Sequence, residues 1–110
     1  MQQMTAEMRE CIQNCQNCHS VCLSVAMTHC LEKGGAHVEQ KHFRLMMDCA
    51  QICQTSADFM LRNSTHHSHI CAECADICVD CATSCEAIGD MDECVAACRK
   101  CAETCRQMAA

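Results

Sequence analysis

Between residues 71 and 85 the chain places Cys71, Cys74, Cys78, Cys81 and Cys85, so the intervals run three, four, three and four. An α-helix returns to the same face at those intervals, and side chains so spaced have Cβ atoms about 5–6 Å apart. The thiols therefore share one stripe. Cys11, Cys15, Cys18 and Cys22 keep the same rhythm, as do Cys94, Cys98, Cys101 and Cys105, with a shorter copy in Cys49 and Cys53. Four stripes call for four helices.

The punctuation between the stripes agrees with that count. Helix 1 is expected to begin near Thr5 or a turn earlier and to stop at Gly34 and Gly35, which tolerate left-handed backbone. Its seam starts with Met4 and Met8; beyond Cys22 it passes to Val25 or Ala26 and then to His29 or Cys30. Helix 2 is expected from about His37, with the seam His42, Met46, Cys49, Cys53, Ser56 and Met60; Leu45, Ile52 and Phe59 recur every seven residues beside it. That apolar stripe can seal the bundle's side or meet a second subunit. Asn63, Ser64 and Thr65 make the next break, with Ser64 or Thr65 as N-cap for helix 3. Gly89 closes helix 3, and Asp90 followed by Glu93 reads as a capping box for helix 4, whose seam runs from Met91 to Met108. The helices span roughly residues 4–33, 37–62, 66–88 and 91–108 of a single domain covering 1–110. Short links between long helices make neighbours antiparallel, so the expected fold is all-α, an up-down-up-down four-helix bundle with a cysteine-lined core.

Composition bears on what fills that core. Leu, Ile, Val and Phe together number 16 among 110 residues, too few for an ordinary interior, and Cys supplies another 16. Cysteine behaves as a small, readily buried hydrophobe. A disulfide scaffold is disfavoured: such scaffolds are rich in loops, whereas this chain has no proline and three glycines. Facing helices also hold Cα atoms about 8–10 Å apart, beyond the ~7 Å reach of a bridge. The start MQQMTAEMRE has neither a basic segment nor an apolar run, so a cytoplasmic location with reduced thiols is expected. The formal charge of −6, with scattered Lys and Arg, argues against nucleic acid. No apolar run reaches the ~18 residues a membrane span needs.

Inward thiols at this density are soft-metal ligands, suited to Cu(I), zinc or iron–sulfur clusters. Zinc takes four thiolates and leaves two negative charges per site, so filling the column would bury about eight, each costing several kcal/mol. Cu(I) replaces one proton per thiol and leaves the interior neutral. Cys-x-x-x-Cys pairs are expected to act as two-coordinate clips, since a linear S–metal–S unit spans roughly 4.5 Å. Iron–sulfur clusters need cysteines converging on one point, and thioredoxin-like chemistry needs a strand–helix setting; continuous helices offer neither.

The candidate metal ligands are Cys11, Cys15, Cys18, Cys22, Cys30, Cys49, Cys53, Cys71, Cys74, Cys78, Cys81, Cys85, Cys94, Cys98, Cys101 and Cys105, together with His67, which lies on the seam one turn before Cys71. Cys30 is off the strict register. Met8, Met60 and Met108 are gap-filling core residues or weak thioether ligands at a bundle mouth. His29, His42 and Met46 occupy the opposite end; either end can serve as the entrance, with the Met-rich one favoured. His19 and His37 are expected on the surface.

Helices with inward Cys-x-x-x-Cys and Cys-x-x-Cys registers, and His and Met at their ends, resemble the bacterial four-helix-bundle copper-storage proteins, specifically their cytosolic branch. The resemblance implies many Cu(I) ions along the bundle axis, a homotetramer, and storage of copper rather than enzymatic turnover; a copper chaperone is a candidate partner. Helix 2, with only two thiols, departs from a fully loaded pattern. Two alternatives remain: a thiol redox buffer or sensor, which needs accessible low-pKa thiols, and a metallothionein-like zinc or cadmium binder.

Overall fold

The computed structural model describes residues 4–110. The expectations of an earlier helix start and of a first stretch without a basic segment or apolar run rest partly on residues 1–3, outside the described part. Helix α1 spans Ala6–Val25 and runs without interruption through a π-helical turn, Ala26–Cys30, into a last turn, Leu31–Lys33. A 3₁₀ turn, Gly35–Val38, leads to α2 at Gln40–Leu61; α3 spans His67–Ile88 and α4 spans Asp92–Ala109. Consecutive helices pack on one another and α4 closes the ring against α1, giving a rod of 50 × 20 × 19 Å.

Local chemistry sets each boundary. Thr5 caps α1, its hydroxyl accepting from the Met8 amide at 3.1 Å. Gly34, at φ +67, turns the chain out of the helix. Helix α2 starts at Gln40 rather than near His37, because the carboxylate of Glu39 accepts from the amides of Lys41 at 2.8 Å and His42 at 3.3 Å. A glutamate cap carries no strong sequence signal. Neither Ser64 nor Thr65 is the cap of α3. That position belongs to His66, while the Ser64 hydroxyl accepts from the His66 amide at 3.1 Å. Asp90 makes no capping box: it adopts φ +59, and its carboxylate faces His29 Nε2 and Lys33 Nζ, each at 3.5 Å, which ties the α3–α4 turn to the end of α1.

All sixteen cysteines have zero solvent exposure, and Ala26, Ala50, Ala57, Ala75, Ala82, Ala97 and Ala102 fill the flanks. The α2 seam reads as expected, with His42, Met46, Cys49, Cys53, Ser56 and Met60 buried. Small side chains along every seam keep the rod narrow. Burying so many hydrogen-bonding groups is tolerable because S–H is a weak donor; a column of hydroxyls lacking partners would cost about 1–3 kcal/mol each. Asn14, a stronger polar group, is paired: its Nδ2 donates to Thr104 Oγ1 at 3.3 Å across α1 and α4.

The π turn explains how Cys30 reaches the core although it breaks the register. Cys22, Ala26 and Cys30 are all buried, at intervals of four and four. In a regular helix eight residues overshoot two turns by about 80°. One wider turn absorbs the extra residue and returns Cys30 to the seam. Deleting the exposed Met27 restores a seven-residue spacing from Cys22 to Cys30. The shortened chain is expected to keep Cys30 inaccessible to a thiol reagent in the native state, with stability changed by less than about 1 kcal/mol. Rapid labelling of Cys30 in that variant contradicts this account of the bulge.

Candidate metal centre

Because four seams converge on one axis, the nearest sulfur to each thiol usually lies on another helix. Sγ–Sγ separations between helices include Cys15–Cys105 at 3.5 Å, Cys22–Cys98, Cys53–Cys78 and Cys15–Cys101 at 3.6 Å, Cys53–Cys101 at 3.7 Å, and Cys49–Cys78 and Cys49–Cys98 at 3.8 Å. Within a helix, Cys18–Cys22 stand 3.8 Å apart, Cys101–Cys105 3.9 Å and Cys74–Cys78 4.0 Å. These intrahelical gaps are shorter than the roughly 4.5 Å of a linear S–metal–S unit built on 2.3 Å bonds; a three-coordinate metal with the same bonds wants about 4.0 Å. Without metal, the closest sulfur pairs lie on different helices, with the i,i+4 pairs slightly farther apart.

Sets of sulfurs lying within 4.8 Å of one another make the sharing explicit: Cys15, Cys74, Cys101 and Cys105; Cys53, Cys74, Cys78 and Cys101; Cys18, Cys49, Cys53 and Cys78; Cys18, Cys22, Cys49 and Cys98. A three-thiol set, Cys11, Cys71 and Cys105, adjoins them. Successive sets have members in common, so a bound ion always has a neighbouring site that reuses part of its ligand shell.

Of the four thiols outside these sets, Cys30, Cys81, Cys85 and Cys94, the first three meet thioethers. Cys81 and Cys85 each donate toward Met46 Sδ at 3.6 Å, and Cys30 toward Met91 Sδ at 3.9 Å. Met46 is fully buried and Met91 nearly so. Three histidines gather at the same end. His29 and His37 stack edge to face with centroids 5.1 Å apart, and His42 Nδ1 meets Ser84 Oγ at 2.8 Å. Among the described residues His37 Nδ1 and His42 Nε2 are buried without a hydrogen-bond partner, and His29 Nε2 has the Asp90 carboxylate at 3.5 Å but no hydrogen bond. Burial holds His42 below the ordinary imidazole range, against the opposing pull of Cys85, so its ring is kept neutral and able to ligate.

His37 is therefore buried, not on the surface, and His19 is half-buried with Nδ1–H donating to the Ala50 carbonyl at 2.7 Å. Both sit where α1 and α2 approach, a contact no single-helix pattern reveals. His67, the imidazole singled out from the sequence, donates from Nδ1–H to the Ser64 carbonyl at 2.8 Å. Only its Nε2 remains for a metal, and it belongs to none of the sets above.

A family model described as copper storage protein matches residues 4–110. The chain belongs to that family. It is similar, at 54% identity and TM-score 0.92, to a protein from Nitrosospira multiformis, with 94% of each chain covered. The Cu(I)-bound copper storage protein BsCsp3 is 38% identical with TM-score 0.87, over 94% of this chain and 99% of that one. The apo form of copper storage protein 3 from Bacillus subtilis gives 38% and TM-score 0.81, over 93% and 98%. An uncharacterized cysteine-rich protein of Bacillus subtilis is 42% identical over 66 residues, which is 60% of this chain and 60% of that relative.

Burial leaves a signature in the metal-free protein. At Cys71 the hydrogen bond from Cys105 pulls the thiol pKa down, but the bond with Cys11 and burial outweigh it and push the group up from 9.0 to about 11. An acid whose folded pKa exceeds its unfolded value contributes stability below the unfolded pKa, and this is lost as pH rises through the folded one. The melting temperature of the metal-free chain is expected to fall between pH 9 and about 11, with a smaller fall in Cys71→Ala. A flat melting profile over that interval in the parent chain refutes the assignment.

Proposed function

We propose that this chain stores Cu(I) at high capacity in its sulfur column, acting as a binding protein in the cytoplasm and not as an enzyme. The observation that carries the reading is the run of overlapping four-thiol sets along the axis. Each thiol exchanges its proton for a singly charged ion, so the interior gains no charge at any degree of filling. The proposed ligands are the sixteen cysteines named from the sequence; His67 Nε2 is an auxiliary donor at the Met-rich end. The Cu(I)-bound relative, similar along nearly the whole chain, supports the choice of metal. Thiol redox sensing fits less well, because it needs accessible thiols and all sixteen are buried.

Anaerobic titration with Cu(I) against a competing chelator is expected to reach on the order of one ion per cysteine, with about one proton released per ion. Zinc uptake is expected to stay far smaller, because each tetrathiolate site would bury two charges. Saturation after only one or two cuprous ions, or preferential uptake of zinc, overturns the reading.

We place the entrance at the His29, His37 and His42 end, not at the Met-rich end that the sequence favoured. There the thioethers of Met46 and Met91 already touch thiols, and His37 Nδ1 and His42 Nε2 stand buried without a hydrogen-bond partner at the same end. Thioethers hold a soft ion without a proton exchange and so pass it on readily. Met46→Leu preserves volume and is expected to slow Cu(I) loading severalfold while leaving final capacity nearly unchanged. An unaltered loading rate in stopped-flow measurements puts the entrance elsewhere.

Assembly is the remaining part of the proposal. Leu45 and Ile52 on α2 are only partly buried, and Leu23, Met27, Leu31 and Val38 are exposed around the α1–α2 connection. Apolar surface of this kind supports a homotetramer, with copper brought by a separate carrier protein.

A further inference from the structure

The charge rule that favours Cu(I) also admits a second class of cargo. A trivalent centre taking three thiolates leaves the interior as neutral as a monovalent ion taking one. The structure offers a place with three thiols and an unreactive fourth corner. Cys11 on α1, Cys71 on α3 and Cys105 on α4 lie with all Sγ atoms within 4.8 Å of one another, the Cys11–Cys105 pair at 3.7 Å. Cys11 and Cys71 belong to none of the four-thiol sets. At the corner that the α2 seam supplies stands Ser56, fully buried, with its hydroxyl 3.3 Å from Cys71 Sγ. A hydroxyl there neither ionises near neutral pH nor competes as a soft ligand. The neighbouring seam residues Met8, Met60 and Met108 are apolar, and Met8 and Met108 are only partly buried. The site therefore lies next to the end of the bundle, where an uncharged solute can reach it.

We infer that Cys11, Cys71 and Cys105 form a capture site for trivalent arsenic or antimony, presented as the neutral hydroxides that these elements form in water. A pyramidal trivalent centre uses three ligands and carries a lone pair in the fourth direction, which matches three thiols and an inert corner. The balance is simple. One As(OH)₃ meets three S–H groups, three As–O bonds break, three As–S bonds form, and three waters leave. Arsenic stays trivalent throughout, each thiol proton departs in water, and no net charge or free proton is produced. Cu(I) uptake at the same sulfurs releases protons, so the two cargoes are distinguishable by proton release alone.

The test is anaerobic titration of the reduced, metal-free protein with arsenite, followed by the ultraviolet absorption of As–S bonds, by counting remaining free thiols after unfolding, and by proton release in weak buffer. The first equivalent is expected to bind without proton release and to remove three thiols. Cys11→Ser and Cys71→Ser are expected to weaken that equivalent by about tenfold or more, whereas Cys30→Ser and Cys85→Ser, at the other end, leave it unchanged. Circular dichroism checks helicity, and if one of the first two variants loses it the other carries the comparison. Absence of As–S absorption in the parent chain, or equal weakening in all four variants, overturns the inference. Titrating the same proteins with Cu(I) separates the readings: cuprous uptake without arsenite uptake removes only this inference, and arsenite uptake without cuprous uptake removes only the storage proposal.

Discussion

Charge neutrality inside a low-dielectric column is the constraint on which the rest of the structure depends. Sixteen sulfurs are buried with no cationic side chain among the core residues, so nothing in the protein offsets accumulated thiolate charge. An isolated buried ion costs several kcal/mol even after relaxation, which exceeds what packing around it returns. In the apo protein protonated thiols meet the constraint, as at Cys30, which burial pushes up, and at Cys71, where the bond with Cys11 together with burial outweighs the pull of Cys105. A loaded protein meets it only if each incoming charge replaces an equal number of protons.

That constraint also accounts for the fold chosen to carry the thiols. Continuous helices satisfy their own backbone hydrogen bonds, so no loop amides need enter the sulfur column. Cysteine and alanine at the seams let four helices approach closely enough that sulfurs on different helices sit 3.5–3.9 Å apart. A Leu core would hold the helices farther apart and leave any occasional thiol isolated. The same close approach explains why the four-thiol sets straddle helices. Side chains at i and i+4 leave one helix side by side, whereas side chains on facing helices point at one another.

How much of this is legible in the sequence follows from how local each cause is. The inward face of every helix is written in its own spacing, and even the non-cysteine seam members Met46, Ser56 and Met60 follow from it. Gly34 and Gly89 announce their breaks because their positive φ angles suit few other residues. By contrast, the Glu39 cap, the turn from Asp90 to His29 and Lys33, and the burial of His37 depend on elements meeting in space. The π turn at Ala26–Cys30 is an intermediate case. The four-and-four spacing from Cys22 through Ala26 to Cys30 is visible once a wide turn is considered, and it is the signal that puts Cys30 inside. Within the site, the sequence names the thiols but not their partition. Which four converge, which three stand apart and which meet a thioether are properties of the cross-section.

That partition gives the column two chemically different ends. At one, the thiols of Cys30, Cys81 and Cys85 touch the thioethers of Met46 and Met91 near three imidazoles, so soft sulfur donors that need no proton exchange lie beside the column. At the other, three thiols adjoin the Ser56 hydroxyl, 3.3 Å from Cys71 Sγ, near the partly buried Met8 and Met108. Ser56 stands where the other seams would place a fourth thiol, 3.3 Å from Cys71 Sγ. The loss is local, since the overlapping sets from Cys15 to Cys98 do not include it. A single hydroxyl in the α2 seam can therefore change which ions the end accepts while the storage column beside it keeps its full complement of thiols.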